Sequence, residues 1–218
     1  MLIDHITRTA YKIELECIEE SCSYVSNTLA SAIKKLELRS SKDIEMIDES
    51  FKDQLIDSLY DEHWTLASQF PKYQYYSHYL LSYGLFETIL NEYCTKAAQK
   101  LNSKLKLKDL SGQGIERAKN YLSKVAGLEE LFNSSDWQKL KLAGEIRNII
   151  AHTAGNLNYE NNKHKELARK LNDMDEVILQ DESDYGSEII LSEKFVISTI
   201  HVIKRFIRDV GMSEISNK

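Results

Sequence analysis

Long stretches of apolar side chains at helical spacing, with few residues that turn a chain, are the feature that most constrains this sequence. Apolar residues recur every three or four positions over residues 4–38, 43–70 and 73–101, which is the pattern of amphipathic helices. The apolar stripe of the first helix begins with Ile6, Ala10, Ile13 and Cys17. One proline and eight glycines in 218 residues are too few for a sandwich or barrel, which needs a turn every ~10 residues. The pattern predicts an all-α fold without paired strands.

Breaks in the apolar pattern divide the chain into two parts. Ser40-Ser41 interrupts the first stripe, and Pro71, the only proline, marks a joint before the most apolar helix. We therefore predict a long-helix N-terminal extension over residues 1–70 and a helical bundle over residues 71–213. The helices expected in the bundle cover residues 73–101, 115–125, 135–152, 163–171 and 192–211.

Capping residues mark the ends of the later helices. Ser135 and Gln138 have the Ser-x-x-Gln form of a capping box, in which both side chains bond to free amide groups of the first turn. This helix is predicted to end before Gly155, a residue type that favours the position just after a helix. Ser192 is predicted to cap the last helix. The polar stretch between Gly155 and Ser192 is expected to hold only one short helix.

Composition excludes several classes of protein. Hydrophobic residues make up 42% and charged residues 28%, as in ordinary globular proteins. No run of about 18 apolar residues could cross a bilayer, and the first residues lack the basic and apolar regions of a secretory signal. Cys17, Cys22 and Cys94 give an odd count without metal-ligand spacing, which predicts reduced thiols in a cytoplasmic protein.

Charge is distributed unevenly around a formal net value of −6. Residues 1–66 hold 14 acidic and 7 basic side chains, and this acidic excess suggests an arm that docks a partner or inhibits the protein. Residues 95–124 hold 8 basic and 2 acidic side chains, so they can form a local anion-binding face or simply a solvated helix surface. The candidate RNA-contacting residues of this segment are Lys104, Lys106, Lys108, Arg117 and Lys119.

Sequence motifs for metal and cofactor chemistry are missing. Gly112-Gln113-Gly114 has neither a preceding strand nor the lysine of a phosphate-binding loop. No two of the six histidines are three or four positions apart, the spacing that places two ligands on one helical face. We therefore expect neither a metal ion nor a cofactor.

An arginine, an asparagine and a histidine lie in the apolar end of the helix predicted over residues 135–152. They are Arg147, Asn148 and His152. On an ideal helix, positions five apart point about 140° away from each other, so Arg147 and His152 share a site only if the helix end distorts or a second copy contributes. Alternatively, the cations simply stabilise the negative end of the helix dipole.

These residues carry a resemblance to a known superfamily. Arg147-x4-His152 matches the Arg-(x)4–6-His signature of the HEPN superfamily (higher eukaryotes and prokaryotes nucleotide-binding), and GEIRNIIAHTAGNL resembles the "IRN-x-x-x-H-x-x-G" form of bacterial members. Flanking stretches extend the resemblance, namely YSHYLLSYGLFETILNEYC, GIERAKNYLSKVAGLEELFNSSDWQKL and EIILSEKFVISTIHVIKRFIRDV. The similarity spans residues 72–212, and residues 1–70 resemble no family.

The resemblance implies a helical bundle that dimerises and sets two motifs beside each other in a cleft. Active HEPN proteins are metal-independent ribonucleases, often toxins or antiphage effectors. His152 would then be the general acid or base, a task that suits imidazole. Arg147 would hold the scissile phosphate, with Asn148 orienting the phosphate or His152. Glu87 would pair with Arg147 and fix its direction.

Each of these roles has a structural alternative. In the alternative, Asn148 serves only to form a hydrogen bond at the helix end, and Glu87 forms an ordinary structural salt bridge. Some active members carry a tyrosine two residues after the histidine as a target of nucleotide modification; Ala154 occupies that position here. Six tyrosines on one predicted helix can stack on bases or, as we favour, fill a core or a dimer interface: Tyr73, Tyr75, Tyr76, Tyr79, Tyr83 and Tyr93.

The first functional hypothesis is a HEPN-type endoribonuclease that acts on RNA as a homodimer, in stress or phage defence, with a possible antitoxin or other protein partner. The second is a non-catalytic HEPN-like module, either a dimeric scaffold or a binder of RNA or nucleotides. The third is an unrelated helical interaction protein in which the motif is a coincidence.

Overall fold

Helices build most of the computed structural model, which describes residues 5–180 and 183–215. The α-helices are α1 (His5–Met46), α2 (Lys52–Trp64), α3 (Phe70–Lys100), α4 (Gly114–Lys124), α5 (Ser135–Thr153), α6 (Asn162–Asn172) and α7 (Glu193–Met212). The strands are β1 (Asn156–Asn158), β2 (Val177–Gln180) and β3 (Gly186–Leu191). The all-α class is confirmed, with a small sheet added to it.

Helix α1 continues past the serine pair that was predicted to end it. The hydroxyls of Ser40 and Ser41 donate to the carbonyls of Leu36 and Glu37, at 2.7 and 3.2 Å. Because each serine bonds to the preceding turn of its own helix, neither side chain competes with the helix. The break predicted at the serine pair is therefore wrong, and the chain turns after Met46.

The buried face of α1 also differs from the predicted stripe. Leu15, Ile18 and Cys22 are buried together with Leu36, the last residue of the predicted stripe, whereas Ile6 and Ile13 are exposed. Leu15 and Cys22 belong to the same hydrophobic core as the residues of α3 and α7. The division of the chain at residue 70 stays a prediction.

Pro71 lies in the first turn of α3 and does not interrupt the helical path. Proline has no amide hydrogen to donate to the preceding turn, and the helical hydrogen bonds are adjusted just before it, where the Phe70 amide donates to the Thr65 carbonyl. The segment Thr65–Gln69 is a π-helix that joins α2 directly to α3. The predicted joint is therefore a change of helical pitch, and no loop separates α2 from α3.

Buried tyrosines connect α3 to its neighbours. The hydroxyls of Tyr79 and Tyr83 donate to carbonyls of α5, at 2.7 and 3.3 Å. That of Tyr93 donates to a carbonyl of α7 at 2.9 Å, and that of Tyr76 donates to the Ile189 carbonyl of β3. These four rings are buried, which confirms the core interpretation for them and removes them as platforms for bases. Of the other two tyrosines, Tyr75 is partly buried against the core and Tyr73 is exposed.

A three-stranded antiparallel sheet occupies the region where no strands were predicted. Its order is β1-β3-β2, and Leu157 of β1 pairs with Ser187 of β3. Every second residue of β3 faces the core, and the Ile189 amide donates to the Gly155 carbonyl at 2.9 Å. The sheet therefore continues directly from the end of α5. The short helix predicted near residues 163–171 is confirmed as α6.

The caps of α5 lie close to their predicted positions. Ser134, one residue before the predicted cap, accepts a hydrogen bond from the Trp137 amide at 3.2 Å. At the other end Ala154 takes a left-handed conformation with φ of 53°, and Gly155 follows with φ of 92°. The residue in the position expected for glycine is thus an alanine. At α7 the predicted Ser192 cap is confirmed, since its hydroxyl accepts from the Phe195 amide at 3.1 Å.

Replacing Ala154 by glycine is expected to stabilise the protein by about 1 kcal/mol, because alanine is strained at a left-handed φ and glycine is not. Urea denaturation measures the change. Ala151→Gly is the matched control: Ala151 lies inside α5, where the same replacement should cost about 1 kcal/mol. A loss of stability in A154G would contradict the assigned end of α5.

Gly155 and Gly84 differ in the space available for a side chain. A side chain at Gly155 would overlap the Tyr76 hydroxyl at a positive φ, whereas a Cβ at Gly84, inside α3, meets nothing within 4 Å. Gly155→Ala should therefore cost about 3 kcal/mol, and Gly84→Ala should gain about 0.5–1 kcal/mol. Equal unfolding free energies in the two variants would refute the packing of Tyr76 against the sheet.

Candidate functional site

One cleft collects the motif residues of α5 together with groups from α3 and the start of α4. Its volume is 580 Å³, within the range of small-ligand sites. The side chains with chemical potential in its lining are Tyr83, Glu87, Glu116, Lys141, Glu145, Arg147, Asn148 and His152. All four predicted catalytic residues thus lie around one cavity of a single chain.

The register of α5 explains which of its residues reach this cleft. Lys141, Glu145, Asn148 and His152 follow one another at intervals of four, three and four positions, which places them on one side of a helix. Arg147 is one position off this side. It lines the cleft nevertheless, and α5 stays helical through Thr153, so a distorted helix end is not the reason.

Two hydrogen bonds hold the Arg147 guanidinium in the cleft. Its Nη1 donates to Asn148 Oδ1 at 3.0 Å, and its Nη2 donates to Glu87 Oε2 at 3.3 Å. The arginine and glutamate side chains are 29% and 25% exposed, so the ion pair is partly shielded and partly open to a ligand. The length of the arginine side chain overcomes the angular separation that its backbone position imposes.

Gly114 lets the start of α4 approach Glu87. Its φ is +51°, which favours glycine, and a Cβ there would lie 2.9 Å from Glu87 Oε1. Glu87 is therefore confined between the first turn of α4 and Arg147, which limits the directions in which it can hold the guanidinium. The Gly112-Gln113-Gly114 segment, which lacks a nucleotide-binding motif, thus has a structural purpose here.

Tyr83 forms the inner wall of the cleft. A Cβ at Gly144 would overlap the Tyr83 hydroxyl, so glycine at this position lets the ring pack against α5. Burial, reinforced by the charge of Glu87, raises the pKa of Tyr83 above its ordinary value. The phenol therefore stays protonated at neutral pH and serves as wall and hydrogen-bond donor.

His152 is exposed at the end of the cleft. Within residues 5–180 and 183–215, no group forms a hydrogen bond to its ring. Both ring nitrogens are therefore free to form hydrogen bonds with a ligand. This freedom is what a general acid or base requires.

The described lining of this cleft includes none of the five basic residues that were predicted to contact RNA. Lys106 and Lys108 border a different cavity beside α3. Arg117 donates to the Gly112 carbonyl at 2.8 Å, and Lys119 lies 3.8 Å from the carboxylate of Glu116. Lys104 is exposed. Their role in RNA approach stays a prediction.

The lysine that does line the cleft is Lys141, which the sequence interpretation overlooked. Its spacing of seven and eleven positions from Asn148 and His152 was the available signal, because residues so placed share one helical face. Glu145 on the same face forms a bridge of 3.1 Å to Lys170 of α6. The cleft therefore carries both charges along one rim.

Among the described residues, no group of three or more His, Cys, Asp or Glu side chains is arranged to hold a metal ion. None of the described helices combines the length and apolar character needed to cross a membrane. Comparisons with family models, curated proteins and solved structures found no match to this chain.

The Glu87–Arg147 pair is expected to contribute about 1 kcal/mol of coupling, because it is partly shielded from water. A double-mutant cycle with Glu87→Gln and Arg147→Gln, followed by urea denaturation, measures this energy. The more exposed Arg39–Glu62 pair is the control and should give less than about 0.5 kcal/mol. A coupling near zero in the Glu87–Arg147 cycle would show that Glu87 does not hold Arg147.

Proposed function

We propose that this protein is a metal-independent endoribonuclease of HEPN type, which acts on RNA as a homodimer and serves as a cytoplasmic toxin or antiphage effector. The observation that carries the proposal is the arrangement in the motif cleft, the cavity lined by Glu87, Arg147, Asn148 and His152. An arginine is held there by Glu87 and Asn148, and an exposed histidine without a hydrogen-bond partner among the described residues lies on the same helix.

Each side chain has a task in cleaving RNA. The His152 imidazole takes the proton of a ribose 2′-hydroxyl, and the resulting oxygen attacks the adjacent phosphorus. The bond to the 5′-oxygen breaks, and this oxygen receives a proton. The products are a 2′,3′-cyclic phosphate and a 5′-hydroxyl. Arg147 neutralises the charge that develops on the phosphate oxygens, and its bonds to Glu87 and Asn148 limit the reorganisation that this requires.

The homodimer is proposed because the reaction moves two protons. One imidazole is present in the described lining of the cleft, and a single imidazole would have to serve as base and acid in turn. His152 is exposed, so a second copy related by a two-fold axis can place its own His152 opposite the first. One histidine would then remove the proton and the other would supply it.

A second candidate function is a non-catalytic module that scaffolds a dimer or binds RNA or nucleotides. The bonds of Arg147 to Glu87 and Asn148 favour it, because a guanidinium satisfied within its own chain also serves as a structural connection between α3 and α5. In this alternative His152 contributes to recognition only.

The test is the rate at which purified protein cleaves total cellular RNA in EDTA. The native chain and His63→Ala should cleave equally, since His63 is an exposed residue of α2. His152→Ala should cleave about 100-fold more slowly or worse, with its helicity and oligomeric state unchanged. Arg147→Lys should also be slow, because lysine lacks the forked donors.

Three outcomes would distinguish the proposals. Native activity in His152→Ala would refute the assigned base. RNA binding without cleavage, unchanged by that replacement, would establish the module instead. A monomer at all concentrations, with full activity, would eliminate the shared cleft.

A further inference from the structure

A second cavity, the α1–α7 groove, lies between the first turns of α1 and the last turns of α7. It shares no lining residue with the motif cleft. Its volume is 420 Å³. Five cationic side chains line it, against the single carboxylate of Glu16: Arg8, Lys12, Lys204, Arg205 and Arg208. The carboxylates of Glu19, Asp136 and Asp209 lie beside it as well, so the cations exceed the carboxylates around the groove by one, and this surplus favours anions locally.

Four of these cations have carboxylate partners outside or at the rim of the groove. Lys204 contacts Glu19 at 2.5 Å, and Arg205 makes two bonds of 3.0 Å to Asp136. Lys12 lies 3.5 Å from Glu16, and Arg208 lies 3.0 Å from Asp209. Although burial raises the pKa of Glu19, its bonds to Lys204 and His201 lower it overall. The charges around the groove are thus held in place.

Arg8 is the exception. Its Nε is shielded from water and has no hydrogen-bond partner, and within the described residues its guanidinium forms no ion pair. Its charge acts on the neighbouring Tyr93 hydroxyl, where it opposes the rise in pKa that burial causes. The Nη groups of Arg8 have no ion-pair partner among the described residues, so they can donate to an anion in the groove.

The shape and lining of the groove limit the kind of anion. A volume of 420 Å³ suits a small molecule. The tyrosine of the described lining, Tyr93, is 1% exposed, and its hydroxyl is bonded to the Ile207 carbonyl, so its ring offers little area for stacking a base.

We propose that the α1–α7 groove is an oligophosphate site, in which Arg8 binds the phosphate oxygens with its forked donors and the surrounding cations neutralise the remaining charge. The ligand is inorganic oligophosphate or the phosphate chain of a nucleotide, which share this chemistry. The site is independent of the ribonuclease proposed for the motif cleft.

Calorimetric titration of the full chain with tripolyphosphate, ATP, adenosine and a single-stranded RNA tests the proposal. Tripolyphosphate should bind the native protein and Arg169→Gln, since Arg169 is an exposed arginine of α6. Arg8→Gln should weaken binding at least tenfold, and Arg8→Lys should weaken it less. Thermal melting without ligand checks that the variants are folded.

The titrations also separate the two sources of phosphate. Equal affinity for tripolyphosphate and ATP, with no binding of adenosine, supports recognition of the phosphate chain alone. Much tighter binding of ATP, still dependent on Arg8, identifies a nucleotide as the ligand. Failure of the native protein to bind either phosphate would overturn the proposal. So would binding that is unchanged in Arg8→Gln, or an Arg8-dependent affinity for single-stranded RNA alone.

Discussion

The hydrogen bonds from buried tyrosine hydroxyls of α3 to carbonyls of its neighbours are the interaction on which the rest of the structure depends. A buried phenol is stable only if its hydroxyl finds an acceptor, so each bond also selects a position along the neighbouring element. Tyr79 reaches Ala143 and Tyr83 reaches Leu140, which shows that α3 and α5 run in opposite directions at this contact. The register of the two helices follows from these bonds.

The candidate site is a consequence of that register. Side chains lean toward the N-terminus of their own helix, so Glu87 and Arg147 lean toward each other across two antiparallel helices. Gly144 gives room to the Tyr83 ring, and Gly114 lets α4 close the far side of Glu87. The cleft is thus assembled from packing requirements, and its chemical groups are oriented before any ligand binds.

Helix periodicity predicted α3 well, because its apolar residues surround the helix and every register indicates burial. The same signal failed on α1, where Leu15, Ile18 and Cys22 form one stripe of threes and fours and Ile6, Ala10 and Ile13 form another; only tertiary packing selects the first. The strands escaped prediction because β1 has three residues and depends on pairing with a distant segment. At the site, the angle of about 140° between positions five apart describes backbone directions only, and the long Arg147 side chain reaches the cleft in spite of it.

The chemistry of the RNA ends tests the central claim most directly. After incubation with the native protein in EDTA, the fragments should carry 2′,3′-cyclic phosphates and 5′-hydroxyls, because the adjacent 2′-oxygen is the nucleophile in the mechanism assigned to His152 and Arg147. Fragments with 3′-hydroxyls and 5′-phosphates would require water as the nucleophile and would contradict the account, as would RNA that stays intact.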